Sequence, residues 1–193
     1  MMKRMRTFLA VSPPMETARD IHVDLAPLRA VWSGVRWVEP ASYHITLVFF
    51  GERDEFTVEK IRESAGPVLM EYESFDVGFE GIDCFGSVHR PKLFIERVGA
   101  GAGELADLRD ALRPVLEPLV GWEERDFRPH LTLGRPRRRG LEGPKGGGLL
   151  PSGMKPDTVW AFRAREIVLY ESTLRAGRAE YSRLETWPLK EAS

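Results

Sequence analysis

The sequence predicts an α+β fold built on an antiparallel sheet. Runs rich in β-branched and aromatic residues are interspersed with amphipathic helical stretches, and several of those runs have hairpin-like spacing. With 193 residues, 42% of them hydrophobic and 30% charged, the chain has globular composition and enough length for a sizeable core. No linker divides it, so residues 1–193 read as a single domain with two lobes.

Residues 7–12 form the first strand. The basic stretch before them resembles the start of a signal peptide, but the apolar run is too short and Pro13-Pro14 interrupts it. A helix follows over about 15–31, with Ala18, Ile21, Leu25 and Leu28 at helical spacing. Residues 35–38 form a short strand, and residues 43–50 a strong one closed by Gly51. Asp54 is the N-cap of a helix reaching about residue 70, which Gly66-Pro67 should kink or split.

Residues 75–81 and 92–98 are strands, joined by a turn over 84–91, and 99–103 is a flexible link. The next helix begins near Glu104, with Leu105, Leu108, Leu112, Leu116 and Leu119 on one side, while Pro114 and Pro118 oppose its second half. Residues 127–134 form another strand. Residues 136–157 read as a long loop, and 163–172 and 180–187 as two strands around Ala176-Gly177.

Charge excludes one class of function. Lysine and arginine total 28 and aspartate and glutamate 29, a net charge of −1. A protein held to nucleic acid by bulk electrostatics is usually strongly basic. One that handles a single phosphate is not excluded. Cys84, the one cysteine, has no partner for an intrachain disulfide, which points to a reducing compartment. No stretch has the length of a membrane span. A cytoplasmic protein is expected.

The chemical signal lies in the histidines. Two of the four begin the same tetrapeptide pattern, His44-Ile45-Thr46-Leu47 and His130-Leu131-Thr132-Leu133. Random scatter of eight threonines would place one two positions after a histidine roughly 0.17 times in this chain. It happens twice, each time in a strand. Side chains at i and i+2 share a strand face. His44 therefore projects with Thr46, and His130 with Thr132, while Ile45, Leu47, Leu131 and Leu133 point to a core. Two such platforms across a cleft supply two imidazoles and two hydroxyls. One imidazole can take a proton from water while the other protonates a leaving oxygen, and the hydroxyls can hold phosphoryl oxygens. A single His-x-Thr would be an ordinary strand pair; the repetition carries the argument. Zinc is disfavoured, because neither segment has His-x-x-x-His or Cys-x-x-Cys spacing.

Tyr43-His44-Ile45-Thr46-Leu47-Val48-Phe49-Phe50-Gly51-Glu52 and Phe127-Arg128-Pro129-His130-Leu131-Thr132-Leu133-Gly134-Arg135 resemble the paired signatures of the two-histidine (2H) phosphoesterase superfamily. The closer resemblance is to bacterial and archaeal RNA 2′,3′-cyclic phosphodiesterases, historically called 2′-5′ RNA ligases. It spans nearly the whole chain, from Arg6-Thr7-Phe8-Leu9-Ala10-Val11 to Ile167-Val168-Leu169-Tyr170-Glu171-Ser172.

The resemblance implies a bilobal fold of two mostly antiparallel sheets with helices on the outside, pseudo-twofold symmetry and a cleft between the lobes. It implies metal-independent opening of a terminal 2′,3′-cyclic phosphate to a 2′-phosphate, with no cofactor, and in some members 2′-5′ joining of RNA ends. Its partners would be RNA ends or nucleotides carrying that phosphate, with no membrane and no obligate protein partner. By the same resemblance His44 is the general acid toward O3′, His130 the general base for water, and Thr46, Thr132 and Arg135 hold the phosphate. Phe49 matches a base-stacking position. Strict alternation puts both Phe49 and Arg135 on the face opposite the histidines, unless the strand bulges.

Trp37, beside the first motif, is a second candidate for base contact, and Arg128 and the run 137–139 for drawing RNA to the cleft mouth. His22 and His89 read as surface histidines. Cys84 has no positioned base, and Gly99-Ala100-Gly101-Ala102-Gly103 lacks the lysine of a phosphate loop. Two other functions remain open: a nucleotide or RNA-end binding module without catalysis, and a 2H phosphodiesterase acting on another cyclic or 2′-5′-linked nucleotide.

Overall fold

A computed structural model describes residues 3–87, 89–122, 124, 126–137, 160–175 and 178–191. In chain order the strands are β1 (Arg4–Val11), β2 (Val35–Trp37), β3 (Ile45–Asp54), β4 (Phe75–Ser87), β5 (Arg90–Val98), β6 (His130–Pro136), β7 (Ala161–Ala164), β8 (Glu166–Arg175) and β9 (Arg178–Pro188). They form one curled sheet in the order β7-β4-β5-β6-β3-β1-β8-β9, with β2 added to β6. Every pairing in it is antiparallel. The order is symmetric about the β6–β3 junction, with four strands on each side. The resemblance implies two sheets; the described strands instead form one, whose halves meet at the pair Ile45–Leu131 because β3 and β6 pair there.

The helices are α1 (Met15–Asp24), α2 (Ala26–Val31), α3 (Glu55–Leu69) and α4 (Ala102–Val120). α3 packs against β1, β3 and β9, and α4 against α3 and β3. Trp32, just after α2, packs edge-on against Phe94 of β5, at 4.9 Å between ring centroids. One buried apolar cluster runs through strands of both halves.

Several expected boundaries move. The helix expected over 15–31 is split at Leu25, because Pro27 has no N–H to donate four residues back. Asp54 caps α3 as expected, its carboxylate accepting from the Thr57 N–H at 2.7 Å. Gly66-Pro67 does not break that helix. Pro67 lies in its last turn, where little of the hydrogen-bond ladder remains to lose. Gly66 is needed there, since a Cβ would lie 2.9 Å from the Trp187 indole nitrogen. α4 likewise runs through Pro114 and Pro118. Both are exposed, as is Asp110, one of the residues whose carbonyl loses its partner, so water can satisfy it. Leu119, expected on the buried stripe, is exposed.

The turn expected over 84–91 is mostly paired strand, the β4–β5 ladder reaching Ser87 and Arg90, with Gly86 taking a φ of +104° at a register shift. β3 begins at Ile45, two residues later than expected, and passes through Gly51 to Asp54. β6 begins at His130 rather than at 127. The strand expected over 163–172 is two strands divided at Arg165. The expected loop over 136–157 lies outside the described residues from 138 onward, as do Arg138 and Arg139 and the turn Ala176-Gly177. Among the described residues no helix is long and apolar enough to cross a membrane.

Among the described residues, one carboxyl group is buried in the core. Glu96 lies on β5 opposite Leu131, and its side chain is buried. Burial pushes its pKa up to about 7, with partial relief from the Gly81 N–H and the Arg97 charge. The unfolded chain gives up this proton first. Native stability should therefore fall as pH rises from about 4.5 to about 7, and then level off. Glu96→Gln removes that loss, so its urea midpoint relative to wild type should be higher at pH 8 than at pH 5. An offset independent of pH would overturn this account.

Candidate active site

The site is built outward from Ile45 and Leu131. Both side chains are fully buried on the core face. Stepping one residue along each antiparallel strand sets His44 opposite Thr132 and Thr46 opposite His130, all on the other face. Directly opposed residues have Cβ atoms about 4.5–5.5 Å apart in such a ladder. All four side chains are half-buried. The charge on His130 reaches His44 strongly enough to help depress its pKa.

The two imidazoles are held alike. His44 Nδ1 lies 2.9 Å from the Ser42 carbonyl oxygen, and His130 Nδ1 lies 2.6 Å from the Arg128 carbonyl oxygen. A carbonyl only accepts, so Nδ1 carries the hydrogen in both rings. Nε2 is left as the atom that takes or gives a proton. Packing fixes the ring planes. His44 lies 4.7 Å from the Phe8 ring and edge-on to Tyr181 at 4.9 Å. His130 meets Phe85 edge-on at 5.1 Å.

Electrostatics favour neutral imidazoles. Burial pushes His44 down to about 4, and the charges of His130 and Arg135 add to this against the opposing Ser42 carbonyl. Burial and Arg135 also hold His130 below its usual value. Tyr181 is pushed up by burial, with Arg135 and Arg6 acting the other way. Arg135 thus acts on both imidazoles and on the Tyr181 hydroxyl.

Phe49 and Arg135 correct the strict alternation expected of these strands. On β3, Thr46 pairs with Ala10 and Val48 with Leu9, so Leu47 is left without a partner. On β6, Thr132 pairs with Ile95 and Gly134 with Phe94, so Leu133 is left over. Each motif therefore has a bulge at its leucine. The bulge puts two consecutive buried residues on each strand, Leu47-Val48 and Leu133-Gly134. The next residue, Phe49 or Arg135, swings back to the histidine face. Phe49 is 50% exposed, and the Arg6 guanidinium lies 4.7 Å from its ring centroid.

Two cavities flank the quartet and meet at Thr46 and Phe49. The one on the His44 side, of about 540 Å³, is lined by Arg6, Arg36, Trp37, Arg135 and Tyr181 among others. The one on the His130 side, of about 700 Å³, includes Arg128. Trp37 also packs on Phe94 and over Gly134, where a Cβ would come within 2.8 Å of its ring, so it is at once a packing residue and a cavity wall. Of the sequence candidates, His44, Thr46, Phe49, Trp37 and Arg135 border or enter the first cavity, and His130 and Arg128 the second; Thr132 faces His44 across the strands.

Sequence reasoning missed Arg6, Phe8 and Tyr181. They come from β1 and β9, which carry no motif and reach the site only through the pairing β3-β1-β8-β9. Arg6 shares the first half of β1 with Arg4 and Thr7, so nothing local in the sequence marked it out. His22, read as a surface residue, is half-buried, with Nδ1 sealed from solvent. Burial pushes the Cys84 thiol up, the opposite of what an activated nucleophile requires. Among the described residues no three His, Cys, Asp or Glu side chains converge as metal ligands. The arrangement can hold a tetrahedral anion between two proton-transfer atoms, with hydroxyls and guanidinium groups around it.

A sequence profile of the 2′-5′ RNA ligase superfamily matches residues 18–140. The chain is 34% identical over 138 residues to an RNA 2′,3′-cyclic phosphodiesterase of Archaeoglobus fulgidus, an alignment covering 72% of this chain and 76% of that one. It is 29% identical to the RNA 2′,3′-cyclic phosphodiesterase of Methanothermobacter thermautotrophicus, over 96% of this chain and 100% of the relative. The fold is shared with E. coli LigT complexed with 3′-AMP, at a TM-score of 0.77 and 23% identity over 98% of this chain and 100% of that one. It is shared also with a protein of Thermus thermophilus, at a TM-score of 0.74 and 24% identity over the same shares. With a profile that spans more than half of its length, and a sequence relative of this closeness, the chain belongs to the 2′-5′ RNA ligase superfamily.

Proposed function

We propose that this chain hydrolyses the terminal 2′,3′-cyclic phosphate of RNA to a 2′-phosphate by paired-histidine acid–base catalysis. The observation that carries the reading is the duplicated His-x-Thr motif, with both Nδ1 atoms tied to the carbonyl two residues back and both Nε2 atoms left for chemistry. The names of the sequence relatives support the reaction, and the 3′-AMP bound to E. coli LigT supports a nucleotide as ligand.

The mechanism is an in-line displacement. Water attacks phosphorus and passes a proton to His130 Nε2. The P–O3′ bond breaks, and His44 Nε2–H supplies the proton that O3′ takes up. Thr46, Thr132 and Arg135 hold the non-bridging oxygens as charge builds on them. Phe49 and Trp37 offer faces to the terminal base, and Arg128 attracts the RNA end. Side chains supply the proton transfers, with no cofactor in the scheme. With a ribose 5′-hydroxyl in place of water, the same steps in the same direction join ends through a 2′-5′ bond.

The depressed imidazoles set a requirement. His44 must be charged to act as an acid, yet burial holds it near 4. A bound phosphate anion supplies the missing stabilisation of imidazolium, so binding raises both histidines.

An RNA ending in a 2′,3′-cyclic phosphate should be hydrolysed in the presence of EDTA. His44→Ala and His130→Ala should each lower kcat by about 10²–10⁴-fold, with the thermal unfolding transition retained. Full activity in either variant overturns the mechanism, and binding of the RNA without turnover by the wild type leaves a binding module instead. Because burial lowers both histidines in the free enzyme, the acidic form is lost at lower pH than for a free imidazole. The kcat/KM optimum should therefore fall below pH 6.5, the usual imidazole value. The kcat profile should lie to its alkaline side. Coincident profiles would show that phosphate does not lift the pair. A substrate with sulfur bridging at the 3′ position leaves as thiolate without needing a proton, and should restore His44→Ala but not His130→Ala. Rescue of His130→Ala alone would exchange the two roles.

A further inference from the structure

Tyr181 brings a hydroxyl to the wall of the His44-side cavity. It stands at the end of a cross-strand row. Arg6 of β1 pairs with Ser172 of β8, and Ser172 with Tyr181 of β9. Paired residues of neighbouring strands project to one face, and all three line the cavity. The Tyr181 ring is held edge-on against Phe8 at 5.2 Å and against His44 at 4.9 Å, so its hydroxyl has a fixed place beside the imidazole. Other tyrosine hydroxyls are occupied within the protein. That of Tyr170 is bonded to Ser12 Oγ at 3.0 Å, and that of Tyr72 donates to the Asp107 carbonyl oxygen at 3.1 Å. The half-buried Tyr181 takes no hydrogen-bond partner among the described residues. A hydroxyl so placed gains by finding one. The charges of Arg6 and Arg135 both reach it, and the charge of Arg135 also reaches both imidazoles. An anion held by Arg135 therefore lies close to all three groups. Burial keeps the proton on the phenol, so the hydroxyl meets that anion as a donor.

We propose that Tyr181 is a further catalytic residue, whose hydroxyl donates a hydrogen bond to one non-bridging oxygen of the bound cyclic phosphate. This rests on the hydrolytic reading of the quartet and extends it to β9, a strand without a motif. Thr46, Thr132 and Arg135 all belong to β3 and β6. Tyr181 reaches the phosphate from the other side of β3, by way of β1 and β8, and so completes the ring of donors on the His44 side. As water attacks and the P–O3′ bond lengthens, negative charge grows on the non-bridging oxygens. A donor already fixed in place is worth more to that charge than to the ground state. Loss of the hydroxyl should therefore fall on kcat more than on KM.

Tyr181→Phe removes the hydroxyl and keeps the ring that packs on Phe8 and His44, so the thermal unfolding transition should be retained. The substrates are adenosine 2′,3′-cyclic phosphate and its two phosphorothioate diastereomers, each with sulfur in place of one non-bridging oxygen. On the oxygen substrate the variant should lose about 10²-fold in kcat. Sulfur accepts hydrogen bonds weakly. The diastereomer whose sulfur replaces the contacted oxygen should therefore lose much less, and the other about as much as the oxygen substrate. Equal losses on all three would show that the hydroxyl acts through the protein and not on the phosphate, and would overturn the proposal. An unchanged kcat on the oxygen substrate overturns it too, and leaves the hydrolase standing. If the wild type itself does not hydrolyse adenosine 2′,3′-cyclic phosphate, the hydrolytic reading falls. The contact is then decided by adenosine 2′-phosphate, which the variant should bind about tenfold more weakly; equal Kd values, or no binding by the wild type, overturn it.

Discussion

The molecule turns on the pairing of Ile45 with Leu131. It is the registered contact between the strands that carry the two motifs, and both side chains are fully buried. Register in a half-buried sheet is set by which face must be apolar. With Ile45 and Leu131 committed to the core, the flanking His44, Thr46, His130 and Thr132 have only the other face to occupy. The antiparallel sense then makes each histidine oppose the threonine of the other motif. A slip of one residue would turn a histidine inward and an aliphatic side chain out, at a cost in burial and in unsatisfied polar atoms. The geometry of the quartet is thus a by-product of a packing requirement, which makes it robust.

Because the ladder between β3 and β6 is so short, the strands are free to part on either side of that pair. One cavity opens on the His44 side and another on the His130 side, and they meet at Thr46 and Phe49. The leucine bulges add a second use of local irregularity. Each costs a ladder position and returns the residue five after the histidine to the cleft, Phe49 in one half and Arg135 in the other. The same device thus delivers an aromatic face on one side and a cation on the other.

Charge is distributed in keeping with a single-phosphate task. The chain as a whole is nearly neutral. Its cleft is not, since Arg6, Arg36 and Arg135 line the first cavity and Arg109 and Arg128 the second. Burial, with the charge of Arg135 adding to it, holds both imidazoles below their usual values. On the proposed reaction, a bound phosphate would raise their proton affinity.

Much of this was legible in the linear chain because it is local. The i, i+2 spacing of histidine and threonine fixes a shared face wherever the segment is a strand, and the apolar Ile45, Leu47, Leu131 and Leu133 fix the opposite one. The α+β class, the amphipathic helices and the Asp54 cap follow from equally short-range rules. The sequence by itself determined the four quartet residues and the chemistry open to them. Tertiary structure decided the rest. Strict alternation sent Phe49 and Arg135 to the wrong face, because a bulge depends on the partner strand that accommodates it. Proline rules predicted breaks at Pro67, Pro114 and Pro118 that did not occur, because position in the helix and access to water govern what a lost hydrogen bond costs. Arg6 and Phe8 enter the cleft through the pairing of β1 with β3, and Tyr181 through β9, which reaches β1 by way of β8, all between segments far apart in the chain. No local pattern encodes such a contact, since it exists only once the sheet has closed the distance.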